Sequence, residues 1–272
     1  MQRPVVALLT DFGTRDHYVG AMKGVVLGLC PEATLVDITH EIPPQDIHAA
    51  AFELAAAWQY FPPGTVFLVV VDPGVGTGRR ALAARAGGCR FVGPDNGVLA
   101  PVLRTDPEAL VVELTESRFA LPQVSRTFEG RDRFAPAAAW LARGTAVEAL
   151  GPQVTDWRPL DVPEPRVDGQ TLHGVVQRVD RFGNLVTNIH RAALDGLGVR
   201  VPGGGPAAGR TAALSIGGRR IDGISGTYAD VAPGALCALV GSSGWLEIAV
   251  NGGNAADRLG LCAGAAVRID VS

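Results

Sequence analysis

The chain has 272 residues, 47% apolar and 19% charged, and its 24 basic and 27 acidic side chains leave a net charge of −3. That is ordinary globular composition, enough for one large domain or two modest ones. No basic block marks a nucleic-acid footprint, and no uninterrupted apolar stretch is long enough to span a bilayer.

The N-terminus, MQRPVVALLTDFG, turns acidic too early for a secretory leader, so a cytoplasmic protein with neither nucleic-acid nor membrane partner is expected. VVALLTD (5–11) is a buried-strand run, and DHYVGAMKGVVLGLC (16–30) has apolar residues at helical spacing, stopped by Pro31. TLVDITH (34–40) reads as a second strand. DIHAAAFELAAAWQYF (46–61) reads as a helix with Asp46 at its N-cap and Pro62–Pro63 as its stop. TVFLVVVD (65–72) is apolar on both faces, as in a sheet covered by helices on both sides. RFVGPDN, ALVVELT and the helix-like RFAPAAAWLARG complete an α/β domain with a largely parallel sheet, a three-layer α/β/α arrangement over residues 1–160.

Residues 152–168, PQVTDWRPLDVPEPRVD, hold four prolines and almost no periodicity, which reads as a stiff linker. Beyond it come short strands: HGVVQRVD, TAALSIGGRRI, GALCALVG, GWLEIAV and AAVRIDV. They predict a smaller antiparallel, barrel-like β domain over 170–272, with a short helix at NAADRLG and a mobile hairpin tip at 201–209. The cysteines, Cys30, Cys89, Cys237 and Cys262, lack zinc-site spacing, and His17, His40, His48, His173 and His190 make no metal pattern. Buried free thiols and no metal are expected.

Three acids, Asp11, Asp37 and Asp72, stand at strand ends, and ligands of open α/β sheets bind outside the carboxyl ends of strands. A dinucleotide turn does not fit. After the first strand comes TDFGTRD, with an acid where pyrophosphate would sit, and the later GVGTGRR lacks the G-K-[ST] ending of a P-loop. An acid there suits ribose hydroxyls instead. In SRTFEGRDRFAPAAAW (125–140), Phe128 precedes Glu129, Arg131 and Asp132. This is either a capped helix start with a local ion pair or a ligand-facing cluster at the mouth of the sheet. Asp180, Phe182 and Asn184 surround a glycine in VDRFGNLVTNIH, and GSSGWLEIAVNGGNAA holds Ser242, Ser243, Glu247, Asn251 and Gly252. An aromatic face beside an asparagine can hold a purine; two tight glycine turns are the alternative.

TDFG-x-x-D-x-Y-V-G-x-M-K-G, VDPGVGT-x-R, PDNG, TF-x-GRD-x-FAP, D-x-FGNLVTN and SSG-x-LEIAVN-x-GNAA occur in that order. Together they resemble the S-adenosyl-L-methionine (SAM) hydroxide adenosyltransferases, adenosine-forming SAM hydrolases related to the fluorinase and chlorinase. The resemblance implies SAM or adenosine as the bound molecule and no cofactor. It also implies a homotrimer, with SAM between the N-terminal domain of one subunit and the C-terminal domain of its neighbour. It assigns Asp11 to the ribose hydroxyls, Asp16 and Asp180 to the methionine end, Phe182 and Asn184 to adenine, and the backbone near Asn251 and Gly252 to the base. Phe128, Ser242, Ser243 and Glu247 fall in the same substrate-binding motifs, and Gln45 and Gly130 in the pocket region.

Asp72 and Arg79 match two members of the family's Asp–Arg–His set, which positions the attacking water or hydroxide. Halogenases carry an uncharged residue at the Asp72 position, because a carboxylate repels halide; it can accept a proton from water, and a nearby arginine keeps it ionised. Hydrolysis is therefore expected. The family's histidine is replaced here by Glu129, a second anion beside Asp72, and close carboxylates do not easily both ionise. Three outcomes stay open: Glu129 works as base or water-orienter, it is a neutral hydrogen-bond donor, or the protein is a slow SAM or adenosine sensor.

Overall fold

The computed structural model describes residues 3–203 and 209–272, so the centre of the expected hairpin tip, 204–208, lies outside the described residues. The chain separates into two compact units, Met1–Asp161 and Val162–Ser272.

The first unit runs β1 (Val5–Thr10), α1 (Tyr18–Leu29), β2 (Thr34–Thr39), α2 (Ile47–Ala57), β3 (Val66–Val70), β4 (Ala81–Ala86), β5 (Cys89–Pro94), α3 (Ala100–Leu103), β6 (Leu110–Glu113) and α4 (Ala135–Ala142). Its sheet has the order β2-β1-β3-β5-β4-β6. The first three pairings are parallel, and β4 is antiparallel to both β5 and β6. Side chains of β1 alternate as the period of two requires. Val6 and Leu8 join Met22 and Val26 of α1 and Ala138 and Leu141 of α4. Ala7 and Leu9 join Ala50, Ala51 and Leu54 of α2 with Val102 of α3. The three-layer α/β/α arrangement follows, and β3 is buried along its whole length because helices cover both of its faces. The alanine-rich β4, ALAARA, escaped the sequence reading. Its composition carries no strand signal, and hydrogen bonding along both edges makes it one.

Asp46 caps α2 as expected, its Oδ1 accepting from Ala49 N at 2.9 Å. Two other expectations need correcting. Asp37 does not end its strand; it lies within β2 opposite Leu8, with Lys23 Nζ at 2.7 Å and His40 Nε2 at 3.0 Å. Partial burial works against its charge, but the hydrogen bond from Lys23 and the adjacent His40 ring outweigh it and hold the carboxyl below its ordinary value. The proline-rich stretch is not a free linker through residue 160. Val154 N donates to Val111 O at 2.8 Å, Arg80 Nη1 reaches Asp156 Oδ1 at 2.6 Å, and Arg158 N reaches Asp95 Oδ1 at 2.7 Å.

The second unit comprises β7 (Arg166–Asp168), β8 (Thr171–Val179), β9 (Leu185–His190), α5 (Arg191–Gly196), β10 (Ala212–Ile216), β11 (Arg219–Asp222), β12 (Leu236–Val240), β13 (Trp245–Val250), α6 (Ala255–Leu259) and β14 (Ala266–Val271). Among the described residues the order is β11-β10-β14-β8-β9-β13-β12, with β7 beside β8. Every pairing is antiparallel. A bridge from Ser225 to Leu239 brings the two edges together, giving a nearly closed, barrel-like sheet. β9 was read from sequence only as the flank of a turn. Gly174 lets it pass close to β8, since a Cβ there would lie 2.6 Å from Asn188 Oδ1.

Cys30, Cys89 and Cys237 are buried free thiols, while Cys262, against expectation, is exposed in the turn after α6. No helix among the described residues is long and apolar enough to cross a membrane. Replacing the α2 cap, Asp46→Ala, should cost about 1 kcal/mol, read as a lower denaturant midpoint with an unchanged slope. An unchanged midpoint would mean that the cap contributes nothing.

Candidate active site

β1 and β3 are neighbours in parallel register, Thr10 opposite Val70, so Asp11 and the Val71–Asp72 pair leave the sheet at the same edge. Beyond Asp72 the chain turns: Val75 N donates to Asp72 O, and Thr77 Oγ1 to Gly74 O at 2.6 Å. Gly74 and Gly76 serve close approach. A Cβ on Gly76, at φ +76°, would lie 2.7 Å from Arg126 O, and one on Gly74 would press on Arg79 at 3.3 Å. Arg79 thereby folds back over Asp72.

Arg79 Nε donates to Asp72 Oδ1 at 2.9 Å and Oδ2 at 3.0 Å, and Nη2 donates to Asp72 Oδ2 as well. The same Nη2 donates to Glu129 Oε2 at 2.7 Å, across 50 residues of sequence. Arg79 and Asp72 side chains are each 6% exposed and Glu129 15%. Burial opposes the guanidinium's charge, but its hydrogen bonds to Asp72 and the nearby Glu129 outweigh this and raise the Arg79 pKa. The Phe134 ring backs the guanidinium at 5.1 Å.

Glu129 opens a π-helical turn, Gly130–Phe134, that runs into α4. Such turns are rare and cluster at functional sites. Gly130 lets the turn pack down, because a Cβ there would meet Met22 Sδ and Val70 Cγ1 at 3.2 Å. Of the polar residues singled out beside Glu129, Arg131 and Asp132 form a local pair, Arg131 Nε to Asp132 Oδ1 at 2.6 Å. Asp132 also accepts from Ser125 N at 2.8 Å, so it anchors the loop. Phe128 is buried against Phe12 and Tyr18, ring centroids 6.0 and 5.2 Å apart. Asp11 accepts from Gln45 N at 2.7 Å, and Gln45 holds φ +67°. Asp16 is exposed on the same loop.

In the second unit Asp180 organises its own turn. Its Oδ1 accepts from Phe182 N at 2.9 Å and Asn184 N at 2.8 Å, and its Oδ2 from Asn184 Nδ2 at 2.9 Å. Gly183, at φ +83°, lies against Asn254, whose Cγ would be 2.1 Å from an added Cβ. Phe182 is 75% exposed. Ser242 and Ser243 cap one end of β13, while Asn251 and the exposed Gly252 follow its other end, across six strand residues. The strand thus keeps these two pairs apart by roughly 20 Å of extended chain. Asn251 Nδ2 donates to Val231 O at 2.8 Å. Glu247 is buried on β13 and accepts from the Tyr228 hydroxyl at 3.2 Å. Among the described residues no group of three or more His, Cys, Asp or Glu side chains is arranged to hold a metal ion.

Residues 6–151 match the SAM hydroxide adenosyltransferase N-terminal domain, and residues 174–268 match the C-terminal domain. The chain belongs to the SAM hydroxide adenosyltransferase family. It is 42% identical to a protein named (R)-S-adenosyl-L-methionine hydrolase from Thermus thermophilus, covering 98% of this chain and 99% of that one. It is 31% identical to a fluorinase of Nocardia brasiliensis, covering 99% and 98%. A crystal structure of an uncharacterized conserved protein from Thermotoga maritima superposes with a TM-score of 0.89 at 36% identity, covering 97% of this chain and 99% of that one.

Within this adenosyltransferase-family chain, the fold gathers Asp72, Arg79 and Glu129 with the Phe128 aromatics. Sequence reasoning left Phe12, Tyr18, Arg133 and Phe134 out of the site. The first two lay inside the TDFG-x-x-D-x-Y motif and the others inside GRD-x-FAP, where the spacing alone gave no reason to prefer them.

Two outcomes follow. Arg79→Met leaves the buried Asp72 carboxylate unpaired and Glu129 with only the more distant Arg133, and should cost about 3–5 kcal/mol in chemical denaturation; a loss under about 1 kcal/mol would show that Asp72 finds another partner. Burial raises the Glu247 carboxyl above its ordinary value, against the opposing Tyr228 hydrogen bond. Folding then favours protonated Glu247. Its contribution is complete below the usual carboxylate value of about 4.3 and is lost as pH rises through the raised value. Glu247→Gln should therefore raise Tm above that window and leave it unchanged in acid. A lower Tm at pH 8 would make the ionised Glu247–Tyr228 pair net stabilising.

Proposed function

We propose that the protein hydrolyses S-adenosyl-L-methionine to adenosine and L-methionine by attack of water or hydroxide at the ribose C5′. The reading draws on relatives named (R)-S-adenosyl-L-methionine hydrolase, and with their name it takes the (R) sulfonium epimer as substrate. The observation that carries it is the buried Arg79 guanidinium shared by Asp72 and Glu129.

In this mechanism a water oxygen bonds to C5′ as the C5′–S bond breaks. The sulfur leaves with the bonding pair as the neutral thioether of methionine, and the proton passes toward the carboxylates. A sulfonium is already a good leaving group, so alignment of a poor nucleophile is what the protein must supply, an effect that contributes ~7–11 kcal/mol in favourable cases. Asp72 accepts a hydrogen bond from the water, Arg79 fixes Asp72, and Glu129 orients the water from its other side. An anionic reactant such as halide is disfavoured beside two carboxylates. The displacement as written uses no cofactor.

For binding, we assign Asp11 to the ribose hydroxyls, and Asp16 and Asp180 to the methionine end. Phe182, Asn184, Asn251 and Gly252 are assigned to the base, with Phe128, Ser242, Ser243 and Glu247 supporting the pocket. Phe182, a large aromatic ring open to solvent in the single chain, fits an adenine platform. A homotrimer, in which the domain over 1–160 of one subunit and that over 170–272 of a neighbour share each substrate, completes the proposal.

Incubated with SAM in 18O-labelled water, the protein should give methionine and adenosine labelled at the 5′ hydroxyl. Asp72→Asn should lower kcat by about 10²–10³ while SAM affinity changes little. A 5′-halo-adenosine product in chloride or fluoride, or an equal loss of binding and turnover in Asp72→Asn, would sink the mechanism.

A further inference from the structure

Glu129 has one oxygen committed and one open. Oε2 accepts from Arg79 Nη2 at 2.7 Å, and Oε1 lies 3.9 Å from Arg133 Nη2, four residues on. That is ion-pair distance but too long for a hydrogen bond. Arg133 thus acts on Glu129 as a charge and leaves the lone pairs of Oε1 available. The arginine is itself fixed: Nη1 donates to Leu114 O at 3.1 Å, and Nε is buried without a hydrogen-bond partner.

Charge completes the picture. Asp72 and Glu129 flank one guanidinium, Arg79, leaving the buried trio one negative charge in excess. Arg133, at ion-pair distance from the other Glu129 oxygen, brings the cluster to neutrality. The π-helical turn over Gly130–Phe134 carries both Arg133 and the ring of Phe134 that backs Arg79. One widened turn therefore supplies both the counter-charge and the support.

We propose that Arg133 is a positioning residue for the hydrolysis: it holds the Glu129 carboxylate between two guanidiniums, with Oε1 turned toward the reacting water. This rests on the hydrolase reading above. Glu129 then works as a water-orienting carboxylate, and the Glu129–Arg133 pair forms one functional unit.

A double-mutant cycle in the full-length protein tests it, with the wild-type rate measured first. Arg133→Gln should lower kcat about tenfold with KM changed less than about twofold, and Arg133→Lys, which keeps the charge, should recover most of that loss. In a Glu129→Gln background, Arg133→Gln should have no further effect on kcat, because the group it acts through is gone. Thermal unfolding of every variant controls for folding, and Arg133→Lys carries the test if Arg133→Gln does not fold: a tenfold loss in a folded Arg133→Lys overturns the charge argument. An unchanged kcat in Arg133→Gln, or an equal loss in both Glu129 backgrounds, overturns the role of Arg133 while leaving the hydrolase reading intact. Absence of adenosine from the wild-type protein instead overturns the hydrolase reading, and Arg133's role with it.

Discussion

A guanidinium buried between two carboxylates is the constraint around which the first unit is arranged. Taking an isolated charge out of water costs several kcal/mol even after relaxation, so Arg79 can be buried only because Asp72 and Glu129 meet it there. Those partners arrive from segments far apart in sequence. Asp72 comes off the end of the most deeply buried strand, and Glu129 off the turn that starts α4. The rest of the local structure serves that meeting. Asn96 Nδ2 holds Val71 O at 2.9 Å, Gly74 and Gly76 let the turn fold tightly, and Gly130 lets the second segment settle onto β3 and α1.

The same arrangement filters reactants. Two carboxylates around one guanidinium offer hydrogen-bond acceptors to water and repulsion to a small anion. A phosphate cradle does the reverse, presenting backbone N–H groups and a lysine. Here the turn is closed on itself, the Gly74 carbonyl accepting both the Thr77 hydroxyl and the Thr77 N–H, and no lysine stands in it. Two of the three glycines of VDPGVGTGRR, Gly74 and Gly76, are there because Arg79 and Arg126 crowd them, while Gly78 has open space around it. The ring that lies against the cluster is that of Phe134, 5.1 Å from the Arg79 guanidinium, and the apolar face it presents excludes water from that side and strengthens the charge interactions.

Much of this was legible in the sequence, for physical reasons that differ by element. β1 and β3 announce themselves as apolar runs, because a strand covered on both faces has no polar alternation to show. Asp46 is legible as a cap because short acids satisfy the free N–H groups of a helix start. β4 is illegible because alanine has no strong preference and partners on both edges decide its state. The Asp72–Arg79 bond is readable as a short-range pair, whereas Glu129 joins it only through the fold, 50 residues away. Asp180 shows another limit. Its position in the motif suggested ligand contact, and the structure shows the carboxylate organising its own turn, something that spacing alone does not separate from ligand contact.

Gln45 marks where the backbone itself carries information that composition cannot. It is the single non-glycine with positive φ among the described residues, at +67°. A side chain in that left-handed region costs about 1–2 kcal/mol relative to glycine, and such strain persists only where its surroundings over-determine it. Here two requirements coincide. Asp46 must cap α2, and the N–H of Gln45 must point back at Asp11 at 2.7 Å. The strained residue therefore couples the end of β1 to the start of α2 and aims the Asp11 carboxylate. Glycine would satisfy the backbone with less strain. Gln45 is exposed, so what the fold fixes at this position is its backbone, beside Asp11 at the sheet edge from which Asp72 also emerges.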